Sequence, residues 1–461
     1  MNYDKLLMLC GYEPEELERE RPRIEKAFKK LEFTQDDLDR GEERVKYYYD
    51  LDLLSVRKML GLWIKSLIDL IHAKEEGKKV VYTCMPPFFH ILGALAALSD
   101  DLYVTSPDLT LSQSIGAIFG KVVPFIEVAE GDILPAASAF CGPIQAKYGA
   151  ITRGVIPVPD LLVSSGFVCD QSPKVDELIG TKYGVPVVYS DGPNDADKVN
   201  WPYVSDRRVQ YMAQEYKDTL QRIETVLGHR ITEEQAQQAE MRIGKIAIQC
   251  NRVFDLIKNA DPMPAGFANF GGVARMAKLG VNTTTVSGNP EAMLDLLYEE
   301  ILERVNNGKG SIPKGAPRVG IVVFASIPEP TKMMEEAGLA VVVDPTGLAM
   351  TEADMIDSGY VKYWERGGEA LLRYCGIGFA QRLVQIYKEW NIDGAILNYP
   401  IGCRDLCMGS LKAREFITQE LGVPVLMLES DYTDPRNYTS EAIRNRITAF
   451  AEVLKSRAKS K

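Results

Sequence analysis

The chain has 461 residues, of which 46% are hydrophobic and 25% charged, the profile of a soluble globular protein too long for one ordinary core. Its net charge of −11, from 53 basic against 64 acidic residues, disfavours nucleic acid and anionic membranes as partners. The first apolar run, Leu6 to Cys10, is shorter than a secretory signal needs, and no stretch approaches the roughly 18 apolar residues of a membrane span. The expected compartment is the cytoplasm, where the eight cysteines stay reduced and serve as core, catalytic or metal-binding residues rather than disulfides.

Residues 1–75 read as a helical N-terminal region, because Glu13–Leu31 and Asp50–Ala73 place apolar residues at three- and four-residue spacing between charges. The rhythm then changes. Lys79–Thr83, Leu102–Thr105, Leu161–Ser164 and Pro186–Tyr189 read as near-continuous apolar strands of a parallel sheet, each followed by a turn and a helical pattern. They define a first α/β domain over 76–204. Residues 205–310 return to helix, with long charged elements at Arg207–Leu227 and Thr232–Asn259 and a third starting at Asn289-Pro290 and running to Val305. The Gly- and Pro-rich stretch GKGSIPKGAPR, Gly308–Arg318, is the best linker. A second α/β domain, 311–461, carries strands at Val319–Phe324, Ala340–Val343, Gly394–Leu397 and Val423–Leu428, and closes with an amphipathic helix at Ser440–Ser456.

In open α/β sheets ligands bind outside the carboxyl ends of the strands, and three cysteines sit there. Cys169 closes LLVSSGFVCD, Cys403 follows AILNYPIGC, and Cys141 opens CGPIQAKYGA with Pro143 placed to start a helix. A thiolate at a helix N-terminus is favoured by the dipole and by free N–H groups, and iron–sulfur clusters use both thiolates and N–H groups. The spacing itself is no metal signature, since no CxxC occurs, and inert buried cysteine is the alternative. Nucleotide motifs are absent. GAIFGK, Gly116–Lys121, is one residue short of a P-loop and reads as ordinary helix. Of the three histidines, His72 and His229 lie in charged helical stretches and read as solvated, while His90 follows the first strand. None suggests a triad or a zinc site. ESDYTDPR, Glu429–Arg436, reads as a structural turn around Asp434-Pro435.

The stretch from Cys141, CGPIQAKYGAITRGVIPVPDLLVSSGFVCDQSPKVDELIGTKYGVPVVYSDGP, resembles the first-domain core of the 2-hydroxyacyl-CoA dehydratase and benzoyl-CoA reductase family. DGAILNYPIGCRDLCMGSLKAREFITQELGVPVLMLESDYTDPRNYTSEAIRNRITAFAEVL is similar to its closing segment. The resemblance spans residues 76–455 and is weakest in the helical middle. It implies two flavodoxin- or Rossmann-like α/β domains with a 4Fe–4S cluster between them, held by Cys141, Cys169 and Cys403. It also implies radical chemistry on an acyl-CoA substrate, a dimer with a homologous subunit or with itself, and a separate ATP-dependent iron–sulfur activator protein. Two features depart from the family. Where relatives carry Pro-x-Glu after the first strand, this chain has TCMPPFFHILGA, with Phe88 or Phe89 in place of the acid. That leaves room for an electron-relaying partner subunit. Additional cysteines, Cys84, Cys375 and Cys407, lie near the same sites. They leave room for an 8Fe–9S double-cubane cluster and a small-molecule reductase acting without CoA. Cys10 and Cys250 lie in helical patterns and read as core.

Overall fold

In the computed structural model the described residues are 2–83, 101–132, 134, 140–166, 169–192, 205–230, 232–280, 290–322, 328–345, 377–400, 402–431, 433–437 and 439–459. The N-terminal region forms helices α1 (Asp4–Leu9), α2 (Pro14–Lys30), α3 (Gln35–Tyr48) and α4 (Leu54–His72). The start of α3 is set by a capping box, in which the Thr34 hydroxyl accepts the Asp37 N–H and the Asp37 carboxylate accepts the Thr34 N–H. Helix α4 is buried on nearly every face, which makes it a core helix wrapped by the others rather than an amphipathic surface one.

The first sheet takes strands β1 (Lys79–Thr83) and β2 (Leu102–Thr105), then, after helices α5 (Pro107–Leu111), α6 (Val123–Asp132) and α7 (Gly142–Thr152), strand β3 (Leu161–Ser165). Helix α8 (Gln171–Tyr183) leads to β4 (Val187–Ser190). The strands are all parallel, in the order β2-β1-β3-β4. Strands β2 and β3 are buried at every residue. Helices cover both faces of such a sheet, so its strands show no polar alternation. The middle helices follow as α9 (Asp206–Leu227), α10 (Glu233–Asn259), α11 (Phe267–Gly280) and α12 (Pro290–Asn306). The second sheet is built from β5 (Arg318–Val322), α13 (Pro328–Glu336), β6 (Ala340–Val343), α14 (Ile377–Glu389), β7 (Gly394–Pro400), α15 (Arg404–Leu421) and β8 (Val425–Ser430). Helix α16 (Ser440–Lys459) closes the described chain. Its order, β6-β5-β7-β8, again all parallel, repeats that of the first sheet. The protein is thus a mixed α/β fold with two parallel-sheet domains of the same strand order.

Two segments differ from what their sequences suggest. GAIFGK does not form an ordinary helix: Ser112–Phe119 winds as a wider π-helix that ends at Gly120 with φ 60°. The Arg40 and Arg44 side chains donate to its last carbonyls, Phe119 O at 2.8 Å and Ala117 O at 3.1 Å, which satisfies groups that the helix leaves open. His72 is not solvated. It is buried, with Nε2 2.9 Å from Arg23 O and Nδ1 3.1 Å from Glu75, because α2 packs over its face. His90 lies outside the described residues.

The N-terminal helices also reach the second sheet's helices, through Arg44–Glu329 at 2.6 Å and Tyr47–Glu336. Beside them, Glu335 is largely but not wholly buried where it accepts the Phe267 N–H at the start of α11. Burial pushes its carboxyl from the ordinary 4.5 up to about 7, opposed by Lys332. A folded pKa above the unfolded one means that the folded state holds the extra proton. Glu335 therefore contributes stability that is full below about pH 4.5 and is lost as pH rises to about 7. Glu335→Gln mimics the protonated form. It should melt with wild type near pH 4.5 and exceed it at pH 8 by roughly 1–3 kcal/mol. Thermal unfolding across that range checks this, and equal curves at both pH values would refute it.

Candidate functional site

Three cysteines mark the carboxyl ends of the two sheets. Cys141 is the N-cap of α7, in extended conformation, with a proline in the first turn as the sequence suggested. Cys169 stands one residue before Asp170, the N-cap of α8. Cys403 is the N-cap of α15, and its N–H donates to Pro400 O at 2.9 Å. Each thiol therefore sits where a helix presents free N–H groups.

The surroundings tie these positions together. The Cys141 N–H donates to Gln171 Oε1 at 2.7 Å, joining α7 to α8. The Ser172 N–H points at Cys169 Sγ, 3.4 Å away. From the other sheet, Asp431 accepts the Gly142 N–H at 3.1 Å, and Gly402 backs directly onto the Cys141 backbone. Burial pushes the Cys141 thiol well above its ordinary pKa, and the carboxylate of Asp431 and the thiols of Cys403 and Cys169 push it the same way. Burial also raises Cys169, while the N–H groups of Ser172 and Gln171 hold it back. The structure thus brings Cys141, Cys169 and Cys403 into one neighbourhood from both sheets.

The ESDYTDPR segment does form a turn, but one whose Asp431, Thr433 and Asp434 are buried and latch the two sheets. Asp431 Oδ1 accepts the N–H groups of Thr433 and Asp434 at 2.9 and 3.0 Å. The Thr433 hydroxyl donates to Ser112 Oγ at 2.8 Å. Arg436 joins Asp434 to Glu130 of α6, both at 2.8 Å. Burial raises the Asp431 carboxyl, opposed by its three N–H donors. The turn was legible in the sequence; its placement against Cys141 was not.

Cys407 lies one turn into α15. Its thiol donates to Pro400 O at 2.8 Å, and its neighbours are Tyr399 and Glu429. Cys84, Cys375, Phe88 and Phe89 lie outside the described residues. Cys10 and Cys250 are fully buried in the core.

Among the described residues, no three His, Cys, Asp or Glu side chains converge as a single metal ion would require. A cubane is several ångströms across and takes thiolates at its corners, so its ligands need not converge on one point. The donor set fits such a group: three soft sulfur donors from three helix starts, Cys141 buried and Cys169 and Cys403 half-buried, with N–H groups aimed at the Cys169 sulfur. At the first sheet's carboxyl edge, the hydroxyls of Thr83 and Ser164 are buried without a hydrogen-bond partner among the described residues.

The sequence profile described as "2-hydroxyglutaryl-CoA dehydratase, D-component" matches residues 88–454. The chain belongs to this dehydratase D-component family. Among its relatives is the alpha subunit of (R)-2-hydroxyglutaryl-CoA dehydratase from Acidaminococcus fermentans, 23% identical over 326 residues. That match covers 68% of this chain and 64% of the relative, just under two thirds of its length. A benzoyl-CoA reductase subunit from Thauera aromatica is 25% identical over 417 residues, 84% of this chain and 91% of that one. The (R)-2-hydroxyisocaproyl-CoA dehydratase alpha subunit from Clostridioides difficile is 22% identical over 408 residues, 84% and 93%. The dehydratase-family match takes in all three candidate cysteines and the 431–436 latch. Among the described residues no helix is long and apolar enough to cross a membrane.

Proposed function

We propose that the chain is the iron–sulfur subunit of an acyl-CoA dehydratase or aryl-CoA reductase, with a 4Fe–4S cluster held by Cys141, Cys169 and Cys403 between the two sheets. The observation that carries this reading is the neighbourhood of three thiols drawn from both halves of the fold. When bound, such a cluster supplies a low-potential electron and one iron free of protein ligands. The chain's own residues do the rest. The Ser172 N–H points at Cys169 Sγ and favours thiolate there, while Cys141 and Cys403 are placed at the starts of their helices. The Asp431 latch holds the halves together. The reaction class is one-electron reduction of an acyl-CoA thioester carbonyl to a ketyl. A dehydratase then expels the hydroxyl, while an aryl-CoA reductase reduces the ring. Relatives are named as single subunits of larger enzymes, which supports a dimer with a homologous chain or with itself. With no nucleotide motif in this sequence, the ATP-dependent step falls to a separate activator protein in a reducing cytoplasm.

The extra cysteines favour one alternative, a double-cubane reductase acting without CoA. The aromatic pair Phe88-Phe89 in place of the family's acid favours another, an electron-relaying partner subunit. Anaerobic purification separates these readings. We expect brown protein with about four iron and four sulfide per chain that bleaches in air. About eight iron would favour the double cubane, full iron without acyl-CoA turnover in the presence of activator would favour the relay, and iron-free protein would refute the central claim.

A further inference from the structure

Lys147 is the one charged residue in the buried run GPIQAKYGAI of α7 and has no solvent exposure. Its Nζ lies 2.7 Å from Asp176 Oδ1 and 3.6 Å from Asp108 Oδ1, and both carboxylates are as buried as the amine. The three groups come from three helices. Lys147 is six positions beyond Cys141 in α7, and Asp176 is seven beyond Cys169 in α8. At the helical rise this puts the ion pair about 9–11 Å behind each cysteine. Asp108 comes from α5, at the end of β2, and its charge acts on both Cys141 and Cys169.

The contacts form a ladder between the two cysteine-bearing helices. The upper rung is the Cys141 N–H on Gln171 Oε1, and the lower is Lys147 on Asp176. The Ser172 hydroxyl reaches Asp176 Oδ2 at 3.5 Å, while the Ser172 N–H points at Cys169 Sγ. An apolar pair at the lower rung would hold two helices together at least as well as a dry ion pair. A fixed ammonium offers something an apolar pair does not: a positive charge behind a site that gathers thiolates, in surroundings where charge is poorly screened.

We propose that Lys147, pinned by Asp176 and Asp108, is a positioning residue that fixes the spacing of Cys141 and Cys169 and sets the charge felt by the cluster they hold. This inference rests on the proposed ligand set. With Lys147 present, the buried triad carries one positive and two negative charges. Lys147→Met leaves two carboxylates behind the site and should make the cluster harder to reduce. Asp176→Asn removes a negative charge and should make it easier to reduce.

The test is an EPR-monitored redox titration of the full-length chain, purified anaerobically, for wild type, Lys147→Met, Lys147→Arg and Asp176→Asn. Iron content and the melting temperature of the iron-free protein are measured alongside. The expected result is a midpoint potential shifted negative in Lys147→Met, shifted positive in Asp176→Asn and close to wild type in Lys147→Arg. If Lys147→Met does not fold, the positive shift in Asp176→Asn carries the inference by itself. Unchanged potentials, or shifts of the same sign in Lys147→Met and Asp176→Asn, would overturn it and reduce the triad to a structural tie. Wild-type protein without iron would instead overturn the ligand assignment, and this inference with it.

Discussion

Replacing Cys141, Cys169 or Cys403 with alanine should each remove most of the iron from anaerobically purified protein, while Cys10→Ala and Cys250→Ala keep it. The first three thiols share one neighbourhood at helix starts, and a cubane that loses one of three protein ligands is left with too few anchors to survive purification. Cys10 and Cys250 lie elsewhere. Cys10 is fully buried among the N-terminal helices, and Cys250 Sγ donates to Ala274 O. Their alanine variants should lose stability, on the order of 1 kcal/mol, through a small cavity, and not cofactor. Cys407→Ser is the informative companion. Its thiol is turned to Pro400 O and Tyr399, so a single cubane should survive the change intact. If iron instead falls from about eight to about four, the double-cubane reading replaces the acyl-CoA one. Equal iron across all the variants would show that the ligand assignment is wrong.

The sheets were legible because their chemistry is local. Parallel strands covered on both faces are continuous apolar runs, so Lys79–Thr83, Leu102–Thr105 and Ala340–Val343 could be read to the residue. The start of α7 was legible from Pro143, which suits a first helical turn. What escaped is what depends on docking. His72 stands beside charged residues in the sequence, yet α2 buries it. Lys147 looks like an ordinary helical lysine until Asp176, 29 residues on, and Asp108 close over it. Asp431 reads as a turn residue because its local partners, Thr433 and Asp434, are two and three positions away. Its contact with Gly142 spans 289 residues and exists only because one sheet docks on the other. The π-helix at Ser112–Phe119 escaped for the same reason, since it is held by Arg40 and Arg44 from α3 and by Thr433 from the far sheet.

That docking makes two glycines close-contact points between the sheets, and substituting either should empty the site while leaving both sheets folded. A methyl group at Gly142 would stand 2.4 Å from Asp431 Oδ1 and 3.2 Å from Asp434 N. The Asp431 carboxylate cannot swing aside, because Thr433 and Asp434 hold it through their N–H groups. A methyl group at Gly402 would meet the Cys141 N at 2.9 Å and its Cα at 3.0 Å, backbone atoms with no rotamer to change. Each clash pushes the second sheet's loop away from Cys141, at a cost of roughly 1–3 kcal/mol typical of overpacking. Neither glycine belongs to a strand, so the sheet cores are untouched. Gly131→Ala is the control: it lies in α6 with nothing within 4 Å of the added carbon and should be neutral or slightly stabilising. The expected outcome is a several-fold loss of iron in Gly142→Ala and Gly402→Ala, with far-ultraviolet circular dichroism unchanged and full iron in Gly131→Ala. Full iron in all three would mean that Cys141 and Cys403 do not need the close approach of the two sheets, and the placement of the cluster between them would fall.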